Sequence, residues 1–207
     1  MGNVVVAGQF TGSCDFDPSP GTVTMTSAGF WDISLAKYDA GGALIWAKRI
    51  GGASDNFVGD IITDANGNTY MTGRYKGTMD LDPSAATAAV TSSGGNFDMF
   101  LAKYDADGNY VWGFSLGYGF SSDEGEDLAF DGAGNLLLTG LINGIVDMDP
   151  GPGVSNIGTG GSGMDWFAAR YDSDGNYLWA TANGSFGIRD FGLAIAGDLA
   201  GNIYIMG

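Results

Sequence analysis

The sequence predicts an all-β fold made of repeated four-stranded antiparallel sheets, and three observations support this prediction. A Gly-Asn pair that opens a short apolar run ending in glycine begins at residues 2, 67, 134 and 201. Three tryptophans follow nearly the same step, namely Trp46, Trp112 and Trp179. No stretch of about ten or more residues shows helical periodicity. A constant period carried by independent landmarks indicates an array of similar units, here 2–66, 67–133 and 134–200 with a partial fourth at 201–207.

The second unit, together with the strand before it, shows the plan of each sheet. Alternating, β-branched or aromatic residues predict the strands, and Gly-rich turns separate them. The four predicted strands are Gly59–Asp64, Asn68–Tyr75, Asp98–Asp105 and Tyr110–Leu116. A long connection, Lys76–Asn96, joins the second strand to the third. In the first unit the corresponding connection contains Thr22–Ser27, for which we expect an additional small strand or hairpin.

Four antiparallel strands joined by tight turns, repeated along the chain, are typical of the blades of a β-propeller. The sequence therefore predicts a single propeller array over residues 1–207, with about three blade equivalents. Ring closure takes roughly four to eight blades, so we expect a partial or open propeller. The pattern starts and stops at a second strand. This leaves two explanations, a fragment of a longer protein or chains that combine head to tail and complete one another's blades.

Aromatic residues are expected to fill the space between blades, because one sheet is too thin to bury both of its faces alone. The candidates are the three tryptophans and the equivalent tyrosines, Tyr38, Tyr104 and Tyr171. Such a stripe can also form a platform on which sugars stack. The position of these residues inside apolar strands favours core packing.

The chain is strongly acidic, with a net charge of −16. Of its 24 acidic residues only Glu124 and Glu126 are glutamates. Aspartate is favoured where a short carboxylate caps a turn or reaches a metal from a tight loop. Because the basic residues are few and scattered, the composition argues against nucleic acid or an anionic membrane as a partner.

Histidine is absent and Cys14 is the single cysteine. An intrachain disulfide and a zinc site built on histidine or cysteine are therefore excluded. We expect Cys14 to be a small packing residue. No apolar run reaches the ~18 residues of a membrane span, and no signal peptide is expected before the first repeat.

The landmarks of each unit closely resemble the bacterial β-propeller repeat known as the SBBP repeat. The segments that carry the resemblance most fully are Gly67–Gly73, Asp80–Pro83, Asn96–Asp105 and Gly108–Gly113. The resemblance covers essentially the whole chain. It implies a parent propeller of about seven blades in a secreted or surface-displayed bacterial protein. The family has no assigned catalytic residues, so the resemblance implies none in this chain.

Three Asp-x-Asp-Pro boxes are the clearest candidates for a chemical role. Two carboxylates at positions i and i+2 can converge on one hard cation, and calcium takes about six to eight oxygen ligands. Another aspartate recurs after each long connection and is expected to lie close to the box. The candidate calcium ligands are Asp15, Asp17 and Asp32, then Asp80, Asp82 and Asp98, and finally Asp147, Asp149 and Asp165. The alternative is that these aspartates cap loop turns through backbone amides.

Two further sets of acids have simpler interpretations. The segments 64–68, 105–109 and 172–176 mimic the start of a calcium-binding loop, but Asn-Gly and Asp-Gly pairs between strands favour hairpin turns. Glu124 and Glu126 have no counterpart in the other units and fall in a predicted loop, Ser121–Asp127. A pair of acids invites comparison with glycosidases, which need two carboxyl groups across a defined gap. A solvated acidic patch is favoured here.

These features predict a non-enzymatic scaffold or binding module of a bacterial extracellular or cell-surface protein, stabilised by calcium. The expected partners are a protein or a glycan, bound by the long connections on one rim, and further blades or other copies of the chain. The alternative is a self-assembling structural protein in which open blades complete one another. A carbohydrate-active enzyme is disfavoured, because the paired acids recur in every unit as framework residues do.

Overall fold

The computed structural model of the chain describes residues 2–119, 121–159, 163–185, 187 and 189–207. In these residues the chain forms nineteen strands and one short 3-10 turn, Ser93–Gly95. None of them belongs to a helix that is long and apolar enough to cross a bilayer. The strands are β1 (Val4–Phe10), β2 (Ser13–Asp15), β3 (Thr24–Thr26), β4 (Asp32–Tyr38), β5 (Leu44–Gly52), β6 (Asn56–Thr63), β7 (Thr69–Lys76), β8 (Thr78–Asp80), β9 (Ala89–Thr91), β10 (Phe97–Tyr104), β11 (Tyr110–Leu116), β12 (Glu124–Phe130), β13 (Leu136–Asn143), β14 (Val146–Asp147), β15 (Asn156–Ile157), β16 (Met164–Tyr171), β17 (Tyr177–Asn183), β18 (Ala194–Gly197) and β19 (Ile203–Met206).

These strands form a series of antiparallel sheets, each of which is one blade. The second blade has the order β6-β7-β10-β11 and the third has the order β12-β13-β16-β17. The first blade contains β1-β4-β5, and the fourth contains β18-β19. The predicted all-β fold, a partial propeller with four-stranded antiparallel blades, is confirmed. Each complete blade combines the last strand of one sequence unit with three strands of the next.

The predicted strands of the second unit agree with the second blade, and their ends differ by at most three residues. The long connections are not featureless, because each folds into a small two-stranded hairpin, namely β2-β3, β8-β9 or β14-β15. Strand β3 confirms the small strand expected within Thr22–Ser27. The hairpin of the second unit also pairs with the preceding blade. Gly51 on β5 lies opposite Asp80 on β8, and Gly52 lies opposite Met79.

The hydrophobic core lies between blades and not within them. Strand β7 contributes to two cores, because successive residues of a strand point to opposite faces of the sheet. Met71 packs with Ile33 and Leu35 of the first blade, whereas Tyr70 packs in the cluster that contains Leu128 and Leu136 of the third blade. A further cluster joins the third and fourth blades. The predicted interlocking of adjacent sheets is therefore confirmed.

Two of the repeated tryptophans lie between blades in equivalent surroundings. Trp46, on the outer strand β5, donates from Nε1 to the carbonyl oxygen of Ala106 in the next blade at 3.3 Å. Its ring lies against Gly108, where an added β-carbon would meet it at 3.0 Å. Trp112 repeats this arrangement one blade further on and donates to the carbonyl oxygen of Ser173 at 3.3 Å. Core packing of these tryptophans is confirmed.

The innermost strands of successive blades, β6, β12 and β18, contact one another. Aspartates on two of them bind the backbone of the next inner strand. Oδ2 of Asp60 accepts the N–H of Leu128 at 3.0 Å, and Oδ2 of Asp127 accepts the N–H of Ile195 at 2.6 Å. These hydrogen bonds hold the inner edges of the second, third and fourth blades together.

Candidate functional site

The Asp-x-Asp-Pro boxes form the same hydrogen-bonded loop in all three units. In the second unit, Oδ1 of Asp80 accepts the N–H groups of Asp82 at 3.1 Å and Ala88 at 2.8 Å. Oδ1 of Asp82 then accepts the N–H of Ser84 at 2.8 Å. The corresponding loops use Asp15, Asp17, Ser19 and Val23 in the first unit, and Asp147, Asp149, Gly151 and Ser155 in the third. The box carboxylates therefore act as caps of loop turns.

A tyrosine at the end of the third strand of each blade fixes the box. Its hydroxyl donates to the carbonyl oxygen of the residue between the two aspartates. The pairs are Tyr38 with Phe16 at 3.0 Å, Tyr104 with Leu81 at 3.0 Å and Tyr171 with Met148 at 2.8 Å. Burial raises the pKa of the Tyr104 hydroxyl well above its usual value, so this group stays a donor.

The third candidate ligand of each unit lies far from its box. Asp98 is near the start of β10, whereas Tyr104, which contacts the box, ends that strand. Six residues of extended strand span roughly 20 Å. Asp98, like the equivalent Asp32 and Asp165, instead accepts a backbone N–H of the connection that precedes it. The expectation that the third aspartate lies beside the box does not hold, because box and aspartate are at opposite ends of one strand.

No group of three or more acidic or cysteine side chains in the described part of the chain is arranged to hold a metal ion. The nine candidate ligands are thus distributed over two kinds of place, the box loops and the starts of the third strands. Calcium binding by the boxes stays a hypothesis, with Asp80 and Asp82 as its ligands in the second unit.

The Asp- and Gly-rich segments between strands are hairpin turns, as the sequence predicts. Oδ1 of Asp105 accepts the N–H groups of Asp107 and Asn109, both at 2.9 Å. Gly108 has a φ of 73°, in the left-handed region that favours glycine. The turns at 64–68 and 172–176 repeat these hydrogen bonds.

Cys14 is exposed. The expectation that it is a small packing residue is wrong, because strand β2 pairs with β3 in a separate hairpin and is not part of the stacked sheets.

Glu124 and Glu126 lie on an inner strand, so the predicted loop at this place is wrong. They belong to β12, whose pairing with β13 shifts register between Gly125 and Asp127. A bulge of this kind redirects a side chain. The prediction of a solvated acidic patch is also wrong in part, because Glu124 forms an ion pair with Arg74. The Arg74 guanidinium in turn lies 5.1 Å from the ring centroid of Phe57.

These side chains line a cavity of about 160 Å³ between the first three blades. Its polar side chains are those of Gln9, Arg74, Glu124 and Glu126. Burial, with the negative charge of Glu124 as a second cause, raises the pKa of Glu126. The repeat does not conserve this arrangement, because the positions of Glu124 and Glu126 carry Phe57 and Gly59 in the preceding unit.

Asp123 is a buried acid that the sequence analysis did not single out. Its side chain is 0% exposed, and it accepts the N–H groups of Asn143 at 2.8 Å and Tyr118 at 3.2 Å. Burial, with the nearby charges of Asp98 and Glu124 as further causes, raises its pKa to about 7. Alignment of the repeat units points to this residue, because the preceding unit has an amide, Asn56, at the position of Asp123.

Comparison with known proteins gives two distant similarities. The chain is 25% identical over 211 residues to an uncharacterized WD repeat-containing protein of Acanthamoeba polyphaga mimivirus, with 89% of this chain and 15% of that protein covered. It is 28% identical over 149 residues to the regulatory protein FlaEY of Caulobacter vibrioides, with 70% of this chain and 14% of that protein covered. The chain thus spans about one seventh of the length of these relatives. No family model matches it. The fold and the first similarity together indicate a propeller-like repeat module.

Proposed function

We propose that the chain is a non-enzymatic scaffold and binding module of a bacterial extracellular or cell-surface protein. One observation carries this proposal. The aspartates of the boxes have equivalent hydrogen-bond partners in every unit, as those of Asp15, Asp80 and Asp147 show. A framework residue is needed in each blade, whereas a catalytic group is needed once. The resemblance of the units to the SBBP repeat supports the extracellular setting.

The binding site that we infer is the cavity between β1, β6, β7 and β12. This cavity lies between blades and is lined by three charged residues that the other units do not repeat, Arg74, Glu124 and Glu126. Two carboxylates and one guanidinium leave the cavity with an excess of negative charge. A net charge of −16 adds long-range attraction for cations. Both effects favour a basic segment of a protein partner over a neutral glycan.

Peptide and glycan arrays probed with the whole chain test this proposal. We expect binding to basic peptides, and Glu126→Gln should weaken it because the variant removes one charge and keeps the side-chain shape. Asp107→Asn removes the same charge from an exposed hairpin turn and is the matched control. Equal weakening by both variants would show attraction by net charge alone and would contradict the cavity as the site. Glycan binding that depends on Glu126 would assign the cavity to the other ligand class.

The glycosidase alternative has one feature in its favour, because Glu124 and Glu126 are a non-repeated pair beside a cavity. Their spacing argues against it. The two acids are two residues apart on one strand, and the charge of Glu124 raises the pKa of Glu126, whereas glycosidases hold their two carboxyl groups about 5 Å or more apart on opposite sides of the substrate bond. Incubation with the glycans of the array should therefore release no reducing sugar. Turnover that Glu126→Gln abolishes would overturn the non-enzymatic assignment.

Self-assembly is a second candidate function, and the exposed outer faces of the array favour it. On β1, Val4 and Val6 are 55% and 49% exposed, while the intervening Val5 packs toward the second blade. On β19, Tyr204 and Met206 are 59% and 64% exposed. Their equivalents inside the array are buried between blades, so a second copy stacked head to tail would cover both faces.

Light scattering over a range of concentrations tests this assembly. We expect the apparent mass to rise with concentration, and Val6→Asp should hold the chain as a monomer. The matched control is Ile145→Asp, since Ile145 is 48% exposed in a long connection away from both faces. A wild-type chain that stays monomeric at the highest concentration would contradict the candidate function.

A further inference from the structure

Three joints connect the inner strand of one blade to the third strand of the blade before it. At each joint, a backbone N–H at the start of the inner strand, or shortly before it, donates a hydrogen bond. The acceptor is the carbonyl oxygen of the residue that precedes a buried aspartate. These contacts are Asn56 to Trp31 at 2.9 Å, Asp123 to Phe97 at 2.8 Å and Asp190 to Met164 at 2.9 Å. We call them the first, second and third joints. The aspartates beside them are Asp32, Asp98 and Asp165.

At the first joint, both oxygens of the buried Asp32 carboxylate have donors. Nη1 of Arg49 lies 2.8 Å from Oδ2 and forms an ion pair with it, and the N–H of Ala28 also donates to Oδ2. Nδ2 of Asn56 donates to Oδ1 at 3.3 Å. The burial of this charge is therefore compensated by a cation and an amide.

The Asn56 amide nitrogen occupies a position surrounded by oxygen atoms. Besides Oδ1 of Asp32, it donates to the carbonyl oxygens of Trp31 at 3.0 Å and Ser54 at 2.7 Å. Three oxygens thus converge on one donor that carries a partial positive charge. Any group that replaces this amide must also be positive on the side that meets these oxygens.

The second joint lacks both compensating groups. Ser115 and Asp123 stand where the first joint has Arg49 and Asn56. Asp98 is 1% exposed, and its Oδ1 has no hydrogen-bond partner in the described part of the chain. Asp123 takes the position of the donor in the aligned units, and its buried carboxylate, which accepts the N–H groups of Asn143 and Tyr118, adds a second negative charge near Asp98. Two buried carboxylates with no cation between them are strongly unfavourable.

The third joint shows the same exchange of residues, except that Asp190 is partly exposed and its Oδ2 accepts the N–H of Ser185 at 2.7 Å. Ala182 replaces the arginine and Asp190 replaces the asparagine. Asp165 is 1% exposed, and its Oδ1 again has no hydrogen-bond partner among the residues that the structure describes. In each of these two joints a glycine lies against the unpartnered oxygen. An added β-carbon on Gly184 would lie 2.2 Å from Oδ1 of Asp165.

We propose that the second and third joints each bind a calcium ion at the position that the Asn56 amide nitrogen takes in the first joint. At the second joint the protein ligands are Oδ1 of Asp98, the carboxylate of Asp123 and the carbonyl oxygens of Phe97 and Ser121. The two carbonyl groups are the equivalents of those that accept from Asn56. Backbone carbonyls and carboxylates are the ligands that calcium prefers, and water supplies the remaining positions.

The charge balance favours a divalent ion. Two carboxylates per joint are neutralised by one divalent cation, and all the available donors are oxygen atoms, which suit a hard cation. Each ion would bridge two blades, because Asp98 belongs to the second blade and Asp123 leads into the third. This inference is independent of the ligand that the inter-blade cavity takes.

Calcium titration of the whole chain after removal of metals with a chelator tests the proposal. We expect isothermal titration calorimetry at neutral pH to give a stoichiometry near two. At an excess of about 100-fold over the dissociation constant, calcium should raise the unfolding midpoint by about 10 to 20 °C, because each of the two sites contributes its own binding free energy. No binding heat together with an unchanged midpoint would overturn the proposal and would leave a shared proton as the partner of each carboxylate pair.

Two variants give the second and third joints the asparagine that the first joint has. Asp123→Asn gives the second joint the amide of the first and should remove one of the two ions, and the double variant with Asp190→Asn should remove both. Asp82→Asn changes a box and should leave the stoichiometry unchanged. A stoichiometry that falls in the box variant and stays unchanged in the double variant would place the ions in the boxes and overturn the joint assignment.

Discussion

Gly125 lies directly against Thr72 of the preceding blade, and an added β-carbon on Gly125 would be 2.0 Å from the Thr72 Oγ1. That Oγ1 donates to the carbonyl oxygen of Phe100 at 2.8 Å, so the hydroxyl is held in place. The next pair of blades repeats the relationship, with Gly192 against Thr139 at 2.3 Å. Glycine is required here because the inner strand of each blade approaches the second strand of the blade before it.

Gly125→Ala is expected to destabilise the chain by about 1 to 3 kcal/mol, because the added methyl group overlaps the Thr72 side chain. At the first pair of blades the equivalent positions carry Ala7 and Val58. Thr72→Ala, combined with Gly125→Ala, should therefore recover part of the loss. Urea unfolding of the two single variants and the double variant measures the coupling. Strictly additive losses would contradict the predicted contact.

Tyr104→Phe is expected to cost about 1 to 2 kcal/mol. The variant keeps the ring in the core but leaves the carbonyl oxygen of Leu81 without the hydroxyl that donates to it at 3.0 Å. Tyr118→Phe is the control, because Tyr118 is 66% exposed and loses no buried hydrogen bond. Chemical unfolding compares the two. Equal stability of both variants would show that the tyrosine hydroxyl does not fix the box.

Asp80→Ala should destabilise the second box by about 1 to 3 kcal/mol, since it leaves two N–H groups of the loop without their acceptor. Asp80→Asn should cost much less, because the amide oxygen can still accept both hydrogen bonds. Thermal unfolding with and without chelator separates this role from metal binding. If the box held calcium, Asp80→Asn would abolish the effect of the chelator as completely as Asp80→Ala does.

The calcium-free chain should lose stability as the pH rises from about 4 to about 7. The pKa of Asp123 is about 7 in the folded chain against an ordinary value of 3.8, so the folded state binds this proton more tightly than the unfolded state. The stabilisation is complete below the ordinary pKa and is lost as the pH passes through the raised one. Asp123→Asn should flatten this part of the profile, measured by urea unfolding at several pH values. An unchanged slope in the variant would contradict this assignment.

The strands of the second unit could be predicted from the sequence because alternation of apolar residues and glycine turns both survive in β7, β10 and β11. The inner strand that carries Glu124 could not be predicted in this way. Its neighbours bury it on two sides, so it lacks alternation, and the bulge at Glu126 breaks its period. Two acids in this segment therefore resemble a loop in the sequence although they lie in the centre of the array.

The role of the repeated aspartates could be predicted only in part. Their turn-capping role follows from residue type and spacing, and the boxes conform to it. The distance between Asp98 and its box could not be read from the sequence, because a connection of twenty residues can return the chain to either end of a strand. Whether Oδ1 of Asp98 has a hydrogen-bond donor depends on which residue of the next blade lies beside it. In the sequence, only the alignment of Asn56 with Asp123 indicates that the donor is missing.

The first two blades are attached to one another at two places. Nε2 of Gln9 on β1 donates to the carbonyl oxygen of Val58 on the inner strand β6 at 3.1 Å, and at the periphery β8 extends the outer strand β5 of the first blade. A sheet anchored along a single line can swing, whereas one anchored along two cannot change its tilt without breaking one attachment. A pull or twist on the first blade is therefore transmitted to the second with little change in the angle between the two sheets.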